Sequence, residues 1–413
     1  MHEPSLSEVL HSPSPHLPEG DLQQQLQDLL NTVRQHFGMN VAFISRFENG
    51  RRIFEQVSSD GPSQVQVGNG DPLEETYCQR VVMGDLPGVI PNTADFEVAR
   101  NLPITRTLNI GAYLSAPIQL PDGQVYGTFC CLSHQPENNL NQRDLQVLRA
   151  FAEVAGQHIE KHHRQAQERQ DKIRRIQQVF TGDLLSMVYQ PFVEVTTGKL
   201  VGIEVLSRFA SEPYLTPDIW FAEAHQVNLG VELEAFAIRK ALMELLDLPG
   251  SFQMAFNVSP QMLLSPQLEG VLQGHPLDRI TLELSERAPV QDYSVLLERL
   301  KFWRSQGLRF AIDDAGADHA SMRHLLHLHP DTLKIDMSLT RGIDVHPGRR
   351  SLTTALVAFA SEIGSTLVAE GVETRGELHT FMQLRVQQAQ GHLLHRPLPV
   401  ADLGEMLKDQ GAC

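Results

Sequence analysis

The sequence is poor in cysteine and has no long apolar run. Its 413 residues include four cysteines, namely Cys78, Cys130, Cys131 and Cys413. None of them form the C-x-x-C spacing of a zinc or thiol-redox motif, so we expect neither a zinc site nor a disulfide framework. A reducing cytoplasm fits this cysteine usage. No window approaches the run of about 18 apolar residues that a transmembrane helix needs, so we expect no membrane span.

Positive charge is also scarce. The chain has 34 Lys and Arg residues against 50 Asp and Glu residues, which gives a formal net charge of −16. A surface of this sign repels nucleic acid and anionic lipid unless a basic patch overrides it, and no run of Lys or Arg stands out. We therefore expect neither DNA nor a membrane as a partner. A small anionic substrate would need cations in its site.

The first 20 residues, MHEPSLSEVLHSPSPHLPEG, have neither the basic start nor the apolar core of a signal peptide. Their Pro and Ser content predicts a disordered tail over residues 1–20. The remaining length is too great for one ordinary core, so we expect two domains.

Residues 21–160 have a mixed pattern that predicts an α+β domain. A helical stretch over Leu22–Phe37 precedes the strand-like run VAFISRF. Further on, IGAYLSAPIQL and VYGTFCCLS flank the turn residues PDG, which is the pattern of a β-hairpin.

The chain looks helical and increasingly polar from Asn141 to about Asp183, and we assign residues 161–180 of this stretch to a helical linker. The whole stretch has a narrow apolar stripe with a spacing of three or four residues: Leu145, Leu148, Phe151, Val154, Ile159, Ile173, Ile176 and Val179. A stripe this narrow favours pairing with a second copy, and hence a homodimer, over a monomer core. A plain surface helix is the alternative.

Residues 181–413 alternate short apolar runs with amphipathic segments. We count eight runs: SMVYQP, LVGIEVL, QMAFNVS, RITLELSE, LRFAIDD, TLKID, STLVAEGVE and QAQGHLL. This order predicts an α/β fold of the (β/α)8, TIM-like barrel type. A doubly wound sheet is the alternative.

Polar residues stand at the ends of nearly all these runs. They are Gln190, Glu204, Asn257, Glu283, Glu286, Asp313, Asp314, Lys334, Asp336, Glu370, Glu373 and Gln390. The carboxyl ends of barrel strands converge on one face, where so many carboxylates cannot all ionise unaided. Oxygen ligands suit Mg²⁺ or Mn²⁺, and two adjacent aspartates can serve two metals. Two metals about 3.5–4 Å apart suit phosphodiester cleavage.

Residues 178–403 resemble the EAL domain family, phosphodiesterases that hydrolyse cyclic di-GMP to linear pGpG. The resemblance is carried by these motifs: YQP at 189–191, EVLSR at 204–208, NVS at 257–259, ELSE at 283–286, DD at 313–314, KID at 334–336, EGVE at 370–373 and QG at 390–391. It implies a two-metal mechanism in which water attacks phosphorus in line and the 3′ oxygen leaves.

The resemblance also implies roles for individual residues. Two metals, Mg²⁺ or Mn²⁺, would be held by Glu204, Asn257, Glu283, Asp313, Asp314 and Glu370, with Asp313 as the bridge. Catalysis would use Lys334, Glu370, Asp336 and Glu204, with Lys334 orienting the water and Asp336 holding Lys334. Substrate contacts would come from Gln190, Leu206, Arg208 and Gln390. Glu286 and Glu373 would brace the loop after the paired aspartates.

That loop departs from the family pattern DDFG-T-G-Y-S-S-L. Ala315 replaces an aromatic residue, Asp318 a glycine and His319 a tyrosine. Loss of a packing anchor and of a flexible glycine predicts an enzyme that is active but slow or tightly regulated. The alternatives are a cyclic di-GMP receptor that does not cleave its ligand, and a signalling scaffold.

Residues 21–160 resemble the GAF domain, a sensor of small ligands. The motifs are TYCQRVV at 76–82, VIPNT at 89–93 and the hairpin at 110–133. They imply an unidentified ligand or signal. Cys78 is interpreted as a buried small apolar residue, with a bilin attachment point or redox sensor as the alternative. Cys130 and Cys131 should point to opposite faces of a strand.

Overall fold

The computed structural model describes residues 19–246, 248, 251–285, 290, 292–315 and 321–411. The chain divides into two compact units, Met1–Glu168 and Arg169–Cys413. The predicted tail lies almost wholly outside the described residues. None of the described helices combines the length and the hydropathy needed to cross a membrane.

The first unit is built on an antiparallel sheet. Its elements are α1 Glu19–Phe37, β1 Val41–Glu48, β2 Arg51–Ser59, β3 Gly70–Pro72, α2 Tyr77–Met83, β4 Val89–Ile90, α3 Glu97–Asn101, α4 Pro103–Thr107, β5 Ala112–Gln119 and β6 Val125–Ser133. The described strands have the order β3-β2-β1-β6-β5-β4. The hairpin predicted around PDG is confirmed, since β5 and β6 pair antiparallel. The α+β prediction is confirmed as well.

The sheet of the first unit separates two apolar cores. Cys131 packs in the core beneath α1, and Cys130 packs in the core beneath α2. The prediction that these neighbours point to opposite faces is therefore confirmed. A strand whose two faces are both covered has alternate side chains in different cores.

Helix α5, Gln142–Thr181, connects the units. Leu148 and Phe151 are buried in a core of the first unit, and Ile176 and Val179 are buried in the core of the second. The argument that the stripe is too narrow for a core within the chain is therefore wrong, because each part of the stripe has an intramolecular partner. The homodimer stays a prediction without that support.

The second unit is an eight-stranded barrel over the described residues. Its elements are β7 Leu185–Glu194, β8 Leu200–Phe209, α6 Pro217–Gln226, α7 Gly230–Leu245, β9 Gln253–Asn257, α8 Pro260–Leu264, α9 Pro266–Leu272, β10 Ile280–Ser285, α10 Tyr293–Ser305, β11 Arg309–Ala315, α11 Ser321–Leu328, β12 Thr332–Ile335, α12 Met337–Thr340, α13 Pro347–Ile363, β13 Thr366–Ala369, α14 Arg375–Gln383, β14 Gln388–Gln390 and α15 Val400–Gly411. The strand order β10-β11-β12-β13-β14-β7-β8-β9 closes on itself. The TIM-like barrel is confirmed, and the doubly wound alternative is excluded.

One strand departs from the (β/α)8 prediction. Strand β7 runs antiparallel to both β8 and β14, whereas the other pairings in the barrel are parallel. A tight turn with Gly198 at a φ of 69° joins β7 to β8. The barrel therefore begins with a β-hairpin rather than with a strand followed by a helix. Gln190 and Glu204 lie opposite each other near the middle of β7 and β8, not at the strand ends as predicted.

Candidate active site

The sequence-predicted carboxylates converge because their strands are in register. Glu283 on β10 lies opposite Asn257 on β9 and opposite Ala311 on β11. Strand β9 ends at Asn257 because Ser259 caps the next helix, its hydroxyl accepting a hydrogen bond from the backbone N–H of Met262. Strand ends and helix starts therefore fix the polar residues on one end of the barrel.

Asp313 and Asp314 both reach the site because the strand that carries them is irregular. In a regular strand, consecutive side chains point to opposite faces. Here the register of β11 against β12 shifts between Ile312 and Ala315, and Asp314 has a φ of 62°. Aspartate tolerates this left-handed conformation better than most residues. The irregularity places the Asp314 carboxylate in the same cluster as the Asp313 carboxylate.

Lys334 lies at the centre of the carboxylates and is 2% exposed. Its Nζ contacts four described carboxylates: Glu370 Oε1 at 2.7 Å, Glu283 Oε2 at 2.9 Å, Glu204 Oε2 at 3.2 Å and Asp313 Oδ1 at 3.3 Å. One buried ammonium cannot neutralise four carboxylates. The cluster therefore keeps an excess of acidic groups over cations.

Glu204 is fixed by hydrogen bonds from two amides. Asn257 Nδ2 donates to Glu204 Oε1 at 3.1 Å, and Gln390 Nε2 donates to Glu204 Oε2 at 2.7 Å. Burial alone would raise the pKa of Glu204, but Lys334 and these amides outweigh it and lower the pKa below its ordinary value. Gln190, opposite Glu204 in register, accepts a 3.0 Å hydrogen bond from Gln390. Gln190 thus reaches the site despite the reversed direction of β7.

The carboxylates form two overlapping groups with metal-ligand spacing. One consists of Glu204, Glu283 and Asp313, and the other of Asp313, Asp314 and Glu370; in each, one oxygen per residue lies within 4.8 Å of the others. Every member is a carboxylate, and Asp313 belongs to both groups. Such a donor set fits hard divalent cations such as Mg²⁺ or Mn²⁺.

Other members of the cluster hold their protons more tightly than free carboxyls do. Burial raises the pKa of Glu283 to about 8, against the opposing effect of Lys334. Burial and the Asp313 charge raise the pKa of Asp314 to about 6 and that of Glu370 well above its ordinary value. A divalent cation would relieve the repulsion that keeps these protons bound.

A cavity of about 390 Å³ adjoins the carboxylates through Asn257. Leu206 and Arg208, both predicted substrate contacts, line this cavity. Arg208 Nη1 donates to the backbone carbonyl of Ser207 at 2.8 Å, and among the described residues this contact leaves other guanidinium N–H groups for an anion.

Helices α6 and α7 supply cavity residues that the sequence analysis missed. Phe221, His225 and Glu234 line the cavity, and His225 Nε2 lies 2.7 Å from Glu234 Oε1. The other carboxylate oxygen of Glu234 accepts a 2.8 Å hydrogen bond from the backbone N–H of Ser259. A search restricted to strand ends could not find these residues, because they come from helices.

Of the remaining predicted residues, Asp336 lies beside the cluster and Glu373 pairs with Arg341. Asp336 caps α12, with Oδ1 accepting from the backbone N–H of Ser338 at 2.9 Å, and its carboxyl neighbours Asp314. It is not among the described carboxylates within 4.0 Å of Lys334 Nζ, which differs from its predicted role of holding Lys334. Glu373 is half-exposed and lies 3.4 Å from Arg341.

Part of the loop prediction falls outside the described residues. Glu286 and the loop residues Asp318 and His319 belong to that part. Ala315 is described: it is fully buried in the barrel core and pairs with Ile335 on β12.

Comparison with known proteins finds curated relatives that match a little over half of this chain. An uncharacterised protein of Azorhizobium caulinodans is 31% identical over 259 residues, which cover 59% of this chain and 35% of that protein. A protein of Pseudomonas aeruginosa named cyclic di-GMP phosphodiesterase is 28% identical over 246 residues, which cover 56% of this chain and 41% of that protein. This chain thus spans less than half the length of these curated relatives.

A solved structure described as the PaMucR phosphodiesterase in complex with cyclic di-GMP matches with a TM-score of 0.51 and 26% identity, covering 56% of this chain and 99% of that one. Residues 173–397 match the EAL domain model, and residues 21–159 match the GAF domain model. The chain belongs to the EAL domain family, with a GAF domain preceding its EAL domain.

Proposed function

We propose that this protein hydrolyses cyclic di-GMP to linear pGpG and that its GAF domain regulates the reaction. The observation that carries the proposal is the pair of carboxylate groups that share Asp313 and surround Lys334. Relatives named as cyclic di-GMP phosphodiesterases support the substrate.

Two divalent cations, Mg²⁺ or Mn²⁺, fit the two groups, and Asn257 stands beside Glu204 to add an amide oxygen to the first. When bound, they would neutralise phosphate charge and promote ionisation of the attacking water. Asp313 would serve both positions, because it is the member that the groups share.

The chain's own residues would orient the substrate and the water. Lys334, held by carboxylates at 2.7–3.3 Å, would present a fixed positive charge to the phosphate. Arg208 would pair with a phosphate, and Leu206 would contact the apolar part of the nucleotide in the adjoining cavity. Asp336, beside Asp314, would order the water network.

Gln190 and Gln390 would contact the substrate through their side-chain amides. Gln390 Nε2 already donates to both Gln190 and Glu204, at 3.0 and 2.7 Å. The Gln190 amide nitrogen donates to the carbonyl of His395 at 3.2 Å, so a guanine edge would have to compete with that carbonyl.

Hydrolysis of cyclic di-GMP by the full chain with Mg²⁺ or Mn²⁺, followed by chromatography of the products, tests the proposal. The matched variants are Glu204→Gln, in the first group, and Glu362→Gln, at an exposed position of α13. We expect pGpG from the wild type and from Glu362→Gln, and a loss of about a hundredfold or more for Glu204→Gln.

Tight nucleotide binding without turnover would instead favour a receptor. The sequence departures at Ala315, Asp318 and His319 are what favour that alternative. Restoring Phe, Gly and Tyr at these positions then separates the two cases, because a slow enzyme would gain rate and a receptor would not.

A further inference from the structure

The GAF domain contains a buried polar cluster that the proposed phosphodiesterase chemistry does not use. Each of its members is at most 1% exposed: Ser45, Arg52, Cys78, Tyr113, Ser115, Thr128 and Cys130. Such a group inside an apolar core is costly unless it is internally paired, and here the members contact one another.

Two sulfur atoms lie at the centre of the cluster. Cys78 Sγ on α2 is 3.8 Å from Cys130 Sγ on β6, although the residues are 52 positions apart in sequence. A disulfide has an S–S distance of about 2.05 Å, so the sulfurs need to approach by less than about 2 Å to bond. Cys131, next in sequence, is equally buried but packs in the other core.

A buried cation touches one of the two sulfurs. Arg52 Nη1 lies 3.5 Å from Cys78 Sγ, and Arg52 Nη2 pairs with the carboxylate of Asp71. The guanidinium also lies over the ring of Phe54 at 4.3 Å from its centroid. A fixed positive charge beside one thiol stabilises the thiolate form, which is the reactive form of cysteine.

The two thiols are therefore inequivalent. Burial opposes ionisation of Cys78, but the hydrogen bond with Cys130 and the Arg52 charge outweigh it and hold the pKa of Cys78 well below its usual range. Burial and the neighbouring Cys78 raise the pKa of Cys130. One sulfur is suited to attack an oxidant and the other to remain a thiol until it is needed.

We propose that Cys78 and Cys130 are a reversible dithiol–disulfide site whose substrate is hydrogen peroxide. The Cys78 thiolate attacks a peroxide oxygen, the O–O bond breaks, and the leaving hydroxide takes a proton to give water and a sulfenic acid on Cys78. Cys130 then attacks Cys78 Sγ, the S–O bond breaks and a second water leaves. Both sulfurs are oxidised, the peroxide is reduced, and an external dithiol reverses the reaction.

The bond would tie α2 to the central strand β6 and remove the thiolate partner of Arg52. The pair differs from a structural disulfide, because both residues are free thiols here. The inference does not depend on the proposed phosphodiesterase activity, since its residues lie in the first unit alone.

Thiol counting on the full chain after hydrogen peroxide treatment tests the proposal. The reduced chain has four thiols. We expect two to remain after oxidation, a linked peptide pair containing Cys78 and Cys130 in the mass spectrum, and four again after dithiothreitol. Four unreacted thiols, or a disulfide joining other cysteines, would overturn the inference.

Matched variants assign the roles. Cys131→Ser should still lose two thiols, and Cys130→Ser should accumulate a sulfenic acid on Cys78 that dimedone traps. Arg52→Met should slow oxidation about tenfold, whereas Arg51→Met, at the exposed neighbouring position, should not. If Arg52→Met fails to fold, dimedone labelling of Cys130→Ser tests whether Cys78 is the thiol that attacks the peroxide. Absence of the label from Cys78 would contradict that role.

Discussion

The carboxylates of Asp313 and Asp314 belong to the same group of metal-ligand oxygens, although the residues are consecutive on β11. The left-handed φ of 62° at Asp314 is what makes this possible. A conformation that most side chains disfavour is thus tied directly to the proposed chemistry.

Substitution of Asp314 separates its charge from its backbone conformation. Asp314→Asn and Asp314→Gly both tolerate a positive φ, so we expect folded proteins that lose phosphodiesterase activity by about tenfold or more. Asp314→Val should in addition lower the free energy of unfolding by about 1–3 kcal/mol, because a β-branched residue is strained there. Urea unfolding and initial rates measure the two effects. Equal stability of the Gly and Val variants would contradict the conformational argument.

Removal of Lys334 should destabilise the barrel when divalent cations are chelated. Lys334→Met leaves four buried or half-buried carboxylates without their shared cation, so we expect a loss of about 3–5 kcal/mol in the free energy of unfolding. Lys301→Met, at an exposed position of α10, is the control and should change it by less than about 0.5 kcal/mol. Urea titrations with a chelator measure both, and matching curves would refute the prediction.

Divalent cations should stabilise the wild type against heat. At a Mn²⁺ concentration of about 100 times Kd, binding adds about 2.7 kcal/mol per site to the free energy of unfolding. Asp313→Asn should lose more of this gain than Glu283→Gln, because Asp313 belongs to both groups and Glu283 to one. Thermal unfolding with and without Mn²⁺ gives the comparison. An identical shift in both variants would argue against a shared ligand.

The pH dependence follows from Glu283, whose pKa is raised from an ordinary 4.5 to about 8. The folded state binds this proton more tightly than the unfolded chain, so the metal-free protein should lose stability as pH rises from about 5 to 8. Affinity for Mn²⁺ should change in the opposite sense and rise with pH, because the cation displaces the proton. Glu283→Gln should weaken the pH dependence of both the stability and the Mn²⁺ affinity, because it removes this titrating group. Unfolding and Mn²⁺ titrations across this range test the signs.

Much of the barrel could be predicted from sequence because its strands are short apolar runs that end in polar residues. The reversed direction of β7 could not be predicted, since the run SMVYQP looks the same whichever neighbour it pairs with. The irregularity at Asp314 could not be predicted either, because an aspartate residue does not by itself indicate a positive φ. His225 and Glu234 were missed because a pair nine residues apart across a helix junction has no characteristic spacing.

The reversed strand also decides where the chain joins the barrel. Leu185 begins β7 opposite Phe209, the last residue of β8, and Ser186 lies opposite Arg208. The polypeptide leaving α5 therefore meets the barrel at the end that carries the phosphate-binding candidates. A parallel first strand would have delivered the same helix to the far end. Any strain transmitted along residues 169–184 would reach the proposed substrate arginine within two strand positions, without crossing the barrel interior.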